Sequence, residues 1–527
     1  MRRGVLTIVA MVAALGVKAE SSDSTAMRMY TAREQRHYTS NLYYRNPSSR
    51  PSLYKWNYME LSGGYGAQGG TVPMWSGSMV YSPERVNAVT LEMEEGDEMQ
   101  AAGFDAIMST RIGSDMTVWG DASYSKGGRN GAKWCETSDY RVVSPYYAAD
   151  TIGGNFDREA YGFNAGMAYE WNKVDLGISI KYNSAVEYRT RDPRPLNSSL
   201  TAEVTAGGNV KTGMGKVGCY IALGKYSQEQ RIKFFSALGT AATIYQMEGK
   251  IGTYRRFSQA YGSAAYKGHR LSAGMQMRLS TGVPIGMTVE YGRRTMEKIL
   301  PETRNIVCNK TEAHQIGVEV LTERAMIGSV GWEVLLQTKI GSMKGFQVIY
   351  DDGSRGYSQI AEQPNYKQTL ANSRGEIHLS LRDEHRADLR LGLWHDYDDS
   401  KNMSIGSREQ KALLLRTIDL SCSRVARSGM SMMTGHVGLR GRGKDKGAKI
   451  EIPKSQPIPS MVGDVKADFE RMTSRMTGFG VGGRIDIFVT KRIGSAFIEV
   501  DYGYDKYKIT KGDGGEHCWS AKVGVTL

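Results

Sequence analysis

Residues 518–527 read Cys-Trp-Ser-Ala-Lys-Val-Gly-Val-Thr-Leu, and in them Trp519, Ala521, Val523, Val525 and Leu527 alternate with Cys518, Ser520, Lys522, Gly524 and Thr526. Successive side chains of an extended strand point to opposite faces, so this segment has one apolar and one mainly polar face. The rhythm recurs upstream. Ala496, Ile498, Val500, Tyr502 and Tyr504 alternate with Ser495, Glu499, Asp501 and Gly503, with Phe497 as the exception. Ala387, Leu389, Leu391 and Leu393 alternate with Asp388, Arg390 and Gly392, and Val174, Leu176, Ile178, Ile180 and Tyr182 with Asp175, Gly177, Ser179, Lys181 and Asn183.

A soluble antiparallel sandwich also alternates, but these segments run about nine to fifteen residues, longer than soluble strands and near the ~10 that cross a bilayer obliquely. Their polar faces carry charge deep inside the segments, at Glu290, Glu319, Glu333, Glu376, Arg390, Arg440 and Glu499. A water-filled interior keeps such charges solvated. The pattern therefore predicts an all-β protein, a closed antiparallel transmembrane β-barrel. Asp175, Lys181, Glu290, Glu319, Arg390, Arg440, Glu499, Asp501 and Lys522 are its candidate lumen-lining residues.

Counting alternating segments from Tyr58 to Leu527 gives about eighteen strands, or sixteen or fourteen if weak ones merge. Tight turns at Gly113-Ser114-Asp115, Asn172-Lys173 and Met214-Gly215 contrast with long connections at Gly66–Glu98, Lys126–Asp157, Ser227–Ala265, Gly341–Asn372 and Gly443–Thr473. Short periplasmic turns and long extracellular loops are the barrel rhythm. Trp56, Trp171, Tyr182, Tyr188, Tyr397, Tyr502, Tyr504 and Trp519 lie toward strand ends, where amphipathic rings favour the headgroup interface.

Composition agrees. Among 527 residues there are 62 Gly and 30 Tyr, and only 40% are apolar, too few for the buried cores of a two-domain enzyme. Arg2 and Arg3 before the apolar run Val5–Val17 read as a signal peptide, 1–19, cut after Ala19; the run is too short to span a bilayer. Residues 20–57 are expected to be a periplasmic tail or a small luminal hatch, and 58–527 the barrel. Five scattered cysteines with no CxxC indicate neither zinc nor a disulfide framework, although one bridge such as Cys135 to Cys308 is conceivable. The formal charge is +13, and +10 without Arg2, Arg3 and Lys18. For an exported chain that matches phosphorylated lipid headgroups better than nucleic acid.

The stretch Lys133–Gly154 (KWCETSDYRVVSPYYAADTIGG) resembles a signature loop in a family of uncharacterised outer-membrane β-barrels from Bacteroidetes-type bacteria, a domain of unknown function. The resemblance continues at Glu187–Pro195, Ile232–Thr240, Thr243–Gln246, Tyr266-Lys267-Gly268 and Glu297–Leu300. It implies the barrel fold and an outer-membrane location and brings no substrate, activity or catalytic residue.

Catalytic and cofactor signatures are poor. Eight histidines form no HExxH, and no GxSxG elbow occurs. Gly478, Gly480 and Gly483 fit GxGxxG but fall inside an expected strand, where they ease packing. Asp396, Asp398, Asp399 and Asn402 read as an acidic loop tip without the remaining ligands of a calcium loop. A barrel-borne lipid hydrolase would need an outward Ser and His, whereas Ser380 and His378 are expected to point inward. The expectation is a non-enzymatic barrel with no cofactor, a passive channel or transporter for a small solute in the outer membrane of a Gram-negative bacterium. Its expected partners are outer-membrane lipid, lipopolysaccharide and the barrel-assembly machinery. The alternative is a surface scaffold or adhesion barrel that works through its long loops.

Overall fold

The computed structural model describes residues 42–52, 58–67, 92–235, 243–253, 263–280, 283–303, 305–322, 325–351, 358–381, 385–425, 431–453, 458–490, 494–509 and 512–526. The expected signal peptide, Trp56 and most of 20–57 lie outside these residues.

Among the described residues twenty strands form one antiparallel sheet. About eighteen were expected from sequence; two of the twenty, Ala325–Ile327 and Lys449–Glu451, are only three residues long. They pair beside longer strands and have no alternation of their own to read. Each long strand pairs with its sequence neighbours, as Gly154–Trp171 does with Val174–Tyr188. The last, Gly512–Thr526, pairs with the first, Tyr58–Ala67, from Tyr58↔Thr526 to Gly66↔Cys518. The order of pairing thus returns to its starting strand.

The faces separate by alternation. On Val174–Tyr188, Leu176, Ile178, Ile180 and Tyr182 are exposed, whereas Asp175 and Ser179 are buried. Phe497 breaks the sequence pattern because it points inward, 3% exposed, with the Arg484 guanidinium 3.7 Å from its ring centroid. Cation–π stacking gives that aromatic a place on a polar face. The turn after Trp171 places Asn172 at φ 53°, a left-handed conformation that asparagine tolerates in a two-residue hairpin.

Three sequence expectations are corrected. The stretch 341–372 is mostly two extended strands, Val330–Asp351 and Ser358–Leu381, whose many small and polar residues mask their alternation. The acidic tip is the end of the strand His385–Asn402: Arg408 forks onto Asp399 at 2.8 Å, and Asp396 and Asp398 accept from Asn372 and Gln368. Cys135 and Cys308 are both free and buried, donating to the carbonyls of Thr137 and Lys298.

Residues 42–52 form two 3₁₀ turns, Leu42–Arg45 and Pro47–Ser52, packed on the inner face of the sheet. The wall accommodates them with glycine. A Cβ on Gly177 would stand 2.5 Å from the Ser48 nitrogen, and one on Gly207 2.5 Å from the Asn46 side-chain oxygen. Over the opposite rim, the connections 133–153, 245–253 and 458–474 join residues 92–97 in a lid. Its core holds Met93, Trp134, Tyr140, Tyr147, Met247, Ile458 and Val465. The helix Met461–Thr473 contributes its buried face, Met461, Val465, Phe469 and Met472, to that side.

Candidate functional site

The sheet interior holds a cavity of about 320 Å³ between the turns at 42–52 and the lid. Leu42 and Arg45 lie on one side of it, Glu92, Tyr140, Lys250 and Val465 on the other, and strand residues such as Lys181, Glu203, Arg270, Glu290, Arg294 and Lys339 form the wall.

Charge pairing holds the floor. The Arg45 guanidinium donates to both Glu290 oxygens at 2.6 and 2.7 Å and to Glu203 at 3.1 Å. Tyr220 adds a hydroxyl donor to Glu290 at 2.7 Å. The Leu42 and Tyr43 amides donate to the Glu319 carboxylate at 2.8 and 3.0 Å. Asn209 donates to the Ser48 and Ser49 hydroxyls. A short polar segment can stay ordered here because its backbone and side-chain groups exchange water for these partners.

The lid is tied down by a second set of charges. The Lys250 ammonium lies 3.3 Å from Asp468, 3.8 Å from Glu92 and from Glu409, and 3.9 Å from Glu94. Burial lowers its pKa, but the surrounding carboxylates outweigh that and raise it well above the usual lysine range. Burial pushes the Glu94 carboxyl up to about 8, against the pull of Lys250.

The described parts of the stretches that carry the family resemblance, far apart in sequence, meet in this lid; residues 236–240 of one of them lie outside the described residues. Arg189 inserts between Glu136 at 2.7 Å and Asp150 at 2.6 Å, all three essentially fully buried. Ala148 and Ala149 pair with Gln246 and Tyr245. Ile232 packs with Ala148 and Ile244, and Lys298 donates to the Tyr147 carbonyl at 3.1 Å. The signature motifs therefore build one junction between the lid and the tops of the strands.

Each of the nine charged residues singled out from sequence lies on the face of its strand opposite the exposed apolar side chains. Lys181 and Glu290 reach the cavity, and Glu319 lies against the segment 42–52. Asp175 is bound by Lys211 and Lys216 at 3.0 and 2.7 Å. The rest belong to a different arc of the wall. There Glu499 takes Arg484 and Lys522 at 3.1 and 3.2 Å, Arg440 reaches Asp505 at 2.5 Å, and Asp501 lies 2.9 Å from His436. Arg390 stands in register between His378 and Asp419.

Sequence reasoning missed Arg45, Lys250, Arg270, Arg294 and Lys339. Arg270, Arg294 and Lys339 sit on strands that were recognised, at inward positions that alternation could have singled out. Arg45 and Lys250 lie in irregular segments, where no period announces a direction. Among the described residues no catalytic constellation assembles around Ser380: its hydroxyl donates to the Gly331 carbonyl at 3.4 Å, while His378 meets Asp388 at 3.1 Å and Glu333 at 3.5 Å. Among the described residues no group of His, Cys, Asp and Glu is arranged to hold a metal ion.

Comparison with solved structures finds distant likenesses. A ferric enterobactin receptor mutant from Pseudomonas aeruginosa, in complex with enterobactin, matches with a TM-score of 0.39 and 8% identity over 90% of this chain and 81% of that one. The siderophore receptor PirA from Pseudomonas aeruginosa matches with 0.36 and 9% over 90% and 80%. BauA, the ferric preacinetobactin receptor from Acinetobacter baumannii, matches with 0.38 and 9% over 90% and 80%. No curated protein matches the sequence. A family model matches residues 90–527, from the lid's first segment to the final strand, and the chain belongs to that family, a family of unknown function (DUF6850).

Proposed function

We propose that the protein is an outer-membrane β-barrel that passes a small solute through its interior. The observation that carries this is the reversal of the two faces. Leu176, Ile178 and Ile180 stand exposed at 46–50% while Asp175 on the same strand is 1% exposed. The contrast recurs in milder form, with exposed Val437 and Leu439 beside half-buried Arg440 and exposed Ile498 and Val500 beside half-buried Glu499. In water such a belt is a severe cost; in hydrocarbon it is the stable arrangement, and a ring of paired strands leaves no backbone edge unsatisfied.

In this reading the short turns and both ends of the barrel domain, 58–527, face the periplasm, and the lid faces outside. Residues 1–19 are a cleaved signal peptide, and 42–52 are part of a luminal hatch. Barrel-assembly machinery inserts the chain, and the outer-membrane lipid and lipopolysaccharide of a Gram-negative cell surround it. The nine inward charges set selectivity through their local field. Passage is passive, and its width depends on the hatch held by Arg45. No reaction is assigned. Uptake of small solutes by liposomes carrying the purified full chain tests the proposal. Uptake above protein-free liposomes supports it. A folded protein that admits nothing would contradict it and favour the scaffold alternative, in which the lid is a docking surface.

A further inference from the structure

We infer that the outward face of the sheet carries, at its lid end, a docking site for a lipid with a phosphorylated headgroup, built on Lys344, Lys367 and Lys401. The inference rests on the proposed membrane location and goes beyond it by assigning a lipid class to named residues.

The three lysines sit on the adjacent strands Val330–Asp351, Ser358–Leu381 and His385–Asn402. They are consecutive cross-strand partners, Lys344 opposite Lys367 and Lys367 opposite Lys401. All three are exposed and share a face with the apolar belt, which the same strands continue as Leu336 and Ile340, Ile377 and Leu381, Leu391 and Leu393. Neighbouring strands lie about 4.8 Å apart, so the row is about 10 Å wide. It stands past the belt, at the level of the lid. On the inner face there, Asn402 donates to the Glu248 carbonyl and Asn365 accepts from the Tyr146 hydroxyl.

Like charges directly opposite one another in an antiparallel pair repel, and here two such pairs follow in succession. Among the described residues none of the three lysines forms a hydrogen bond or an ion pair. The carboxylates around them have nearer cations. Glu312, opposite Lys344, takes Arg293 at 2.6 Å. Asp399 acts on Lys367 at longer range and receives both arms of Arg408 at 2.8 Å. Glu451 acts likewise on Lys401, but it is paired with Lys449 and stands opposite Arg408. With each carboxylate matched to its nearer cation, three ammoniums remain for an anion from outside the chain.

Their position selects that anion. A soluble ion gains nothing from the apolar side chains below the row, whereas a lipid lays its chains on them and brings its headgroup to the lysines. An ammonium on a flexible four-carbon stem reaches from the edge of the hydrocarbon to the headgroup layer and meets phosphate as a point charge. A phosphate monoester offers three terminal oxygens and close to two charges, more than a carboxylate or a phosphodiester. With the lid outward, the occupant is a phosphorylated glycolipid of the outer leaflet.

The purified full chain in detergent micelles is titrated with lipid A and with lipid A stripped of its phosphates, and bound lipid is read by native mass spectrometry. Lipid A should bind about tenfold or more tightly than the stripped form. Lys367→Gln should weaken it about fivefold, and Lys344→Gln, Lys367→Gln and Lys401→Gln together about a hundredfold, at about fivefold per lysine. Lys367→Arg should keep the affinity, which separates lost charge from lost fold. Lys225→Gln, exposed on the same face four strands away, should leave it unchanged. Equal affinity for the stripped lipid, for phosphatidylglycerol or for inorganic phosphate would overturn the inference. So would an unchanged affinity in the triple variant, or an equal loss in Lys225→Gln. Solute uptake by liposomes is scored separately: uptake without selective lipid A binding removes this site and leaves the transport proposal standing, and lipid A binding without uptake does the reverse.

Discussion

Arg45 and Glu290, 245 residues apart in sequence, meet in a bidentate pair at 2.6 and 2.7 Å inside the ring of strands. Glu290 belongs to the wall and Arg45 to the short segment it encloses, so the pair fastens one to the other. Replacing Glu290 with Gln removes a charge-assisted bond of about 1.5–3 kcal/mol. Trypsin cleavage after Arg45 in the folded protein should then rise about tenfold or more. Unchanged cleavage would mean that the Glu319 and Asn209 contacts hold the segment by themselves.

The lid should loosen as pH rises from about 4.5 to 8. Glu94 is fully buried, and its pKa lies at about 8 against 4.5 when open to water. Between those values the closed lid binds a proton that the open form has released, so closure weakens with rising pH and levels off above the closed-state value. Hydrogen exchange at 92–97 and 245–253, corrected for intrinsic rates, should show protection falling across that window. Glu94→Gln should flatten the dependence. A dependence that survives in the variant would assign it to another group.

Arg189 is the central cation of the lid junction. Its removal leaves Glu136 and Asp150 buried side by side, and burial together with Asp150 already raises the Glu136 pKa well above the carboxylate range. Breaking one partner from such a set costs about 3–5 kcal/mol. In Arg189→Met, limited proteolysis should cut within 133–153 while the strands keep their resistance. Lysine in its place should rescue little, because it lacks the planar fork.

The two faces of one strand give a local test of orientation. Ile178→Arg places a charge on the exposed apolar face and should cost about 2–4 kcal/mol near the bilayer midplane, lowering the yield of folded protein in membranes. Lys181→Gln, on the opposite face, should leave that yield unchanged. Equal losses would show that the faces are misassigned.

How much of this was legible in sequence depended on periodicity. Long strands with β-branched and aromatic residues at every second position, such as Val174–Tyr188, declared both their conformation and their inward charges. Ser358–Leu381 shows no such period because Gln, Asn, Ser and Ala occupy both faces, so by sequence alone its polar upper half reads as a loop. Phe497 misled the pattern because an inward ring under Arg484 is a tertiary arrangement that period two cannot encode. The cavity stayed invisible for the same reason. Arg270 meets Arg294 only through strand register, and Arg45 reaches both Glu203 and Glu290 only once the strands have closed around it.

Two native thiols test the central claim, that the exposed face lies in lipid. Cys219 and Cys422 are both exposed and both on the apolar side of their strands, beside Ile221 and Leu420. In intact liposomes a membrane-impermeant charged maleimide should leave both unmodified, because hydrocarbon excludes the reagent and suppresses the thiolate. After denaturation both should react. Rapid labelling of Cys219 and Cys422 in the folded, liposome-embedded protein would place that face in water and contradict the account.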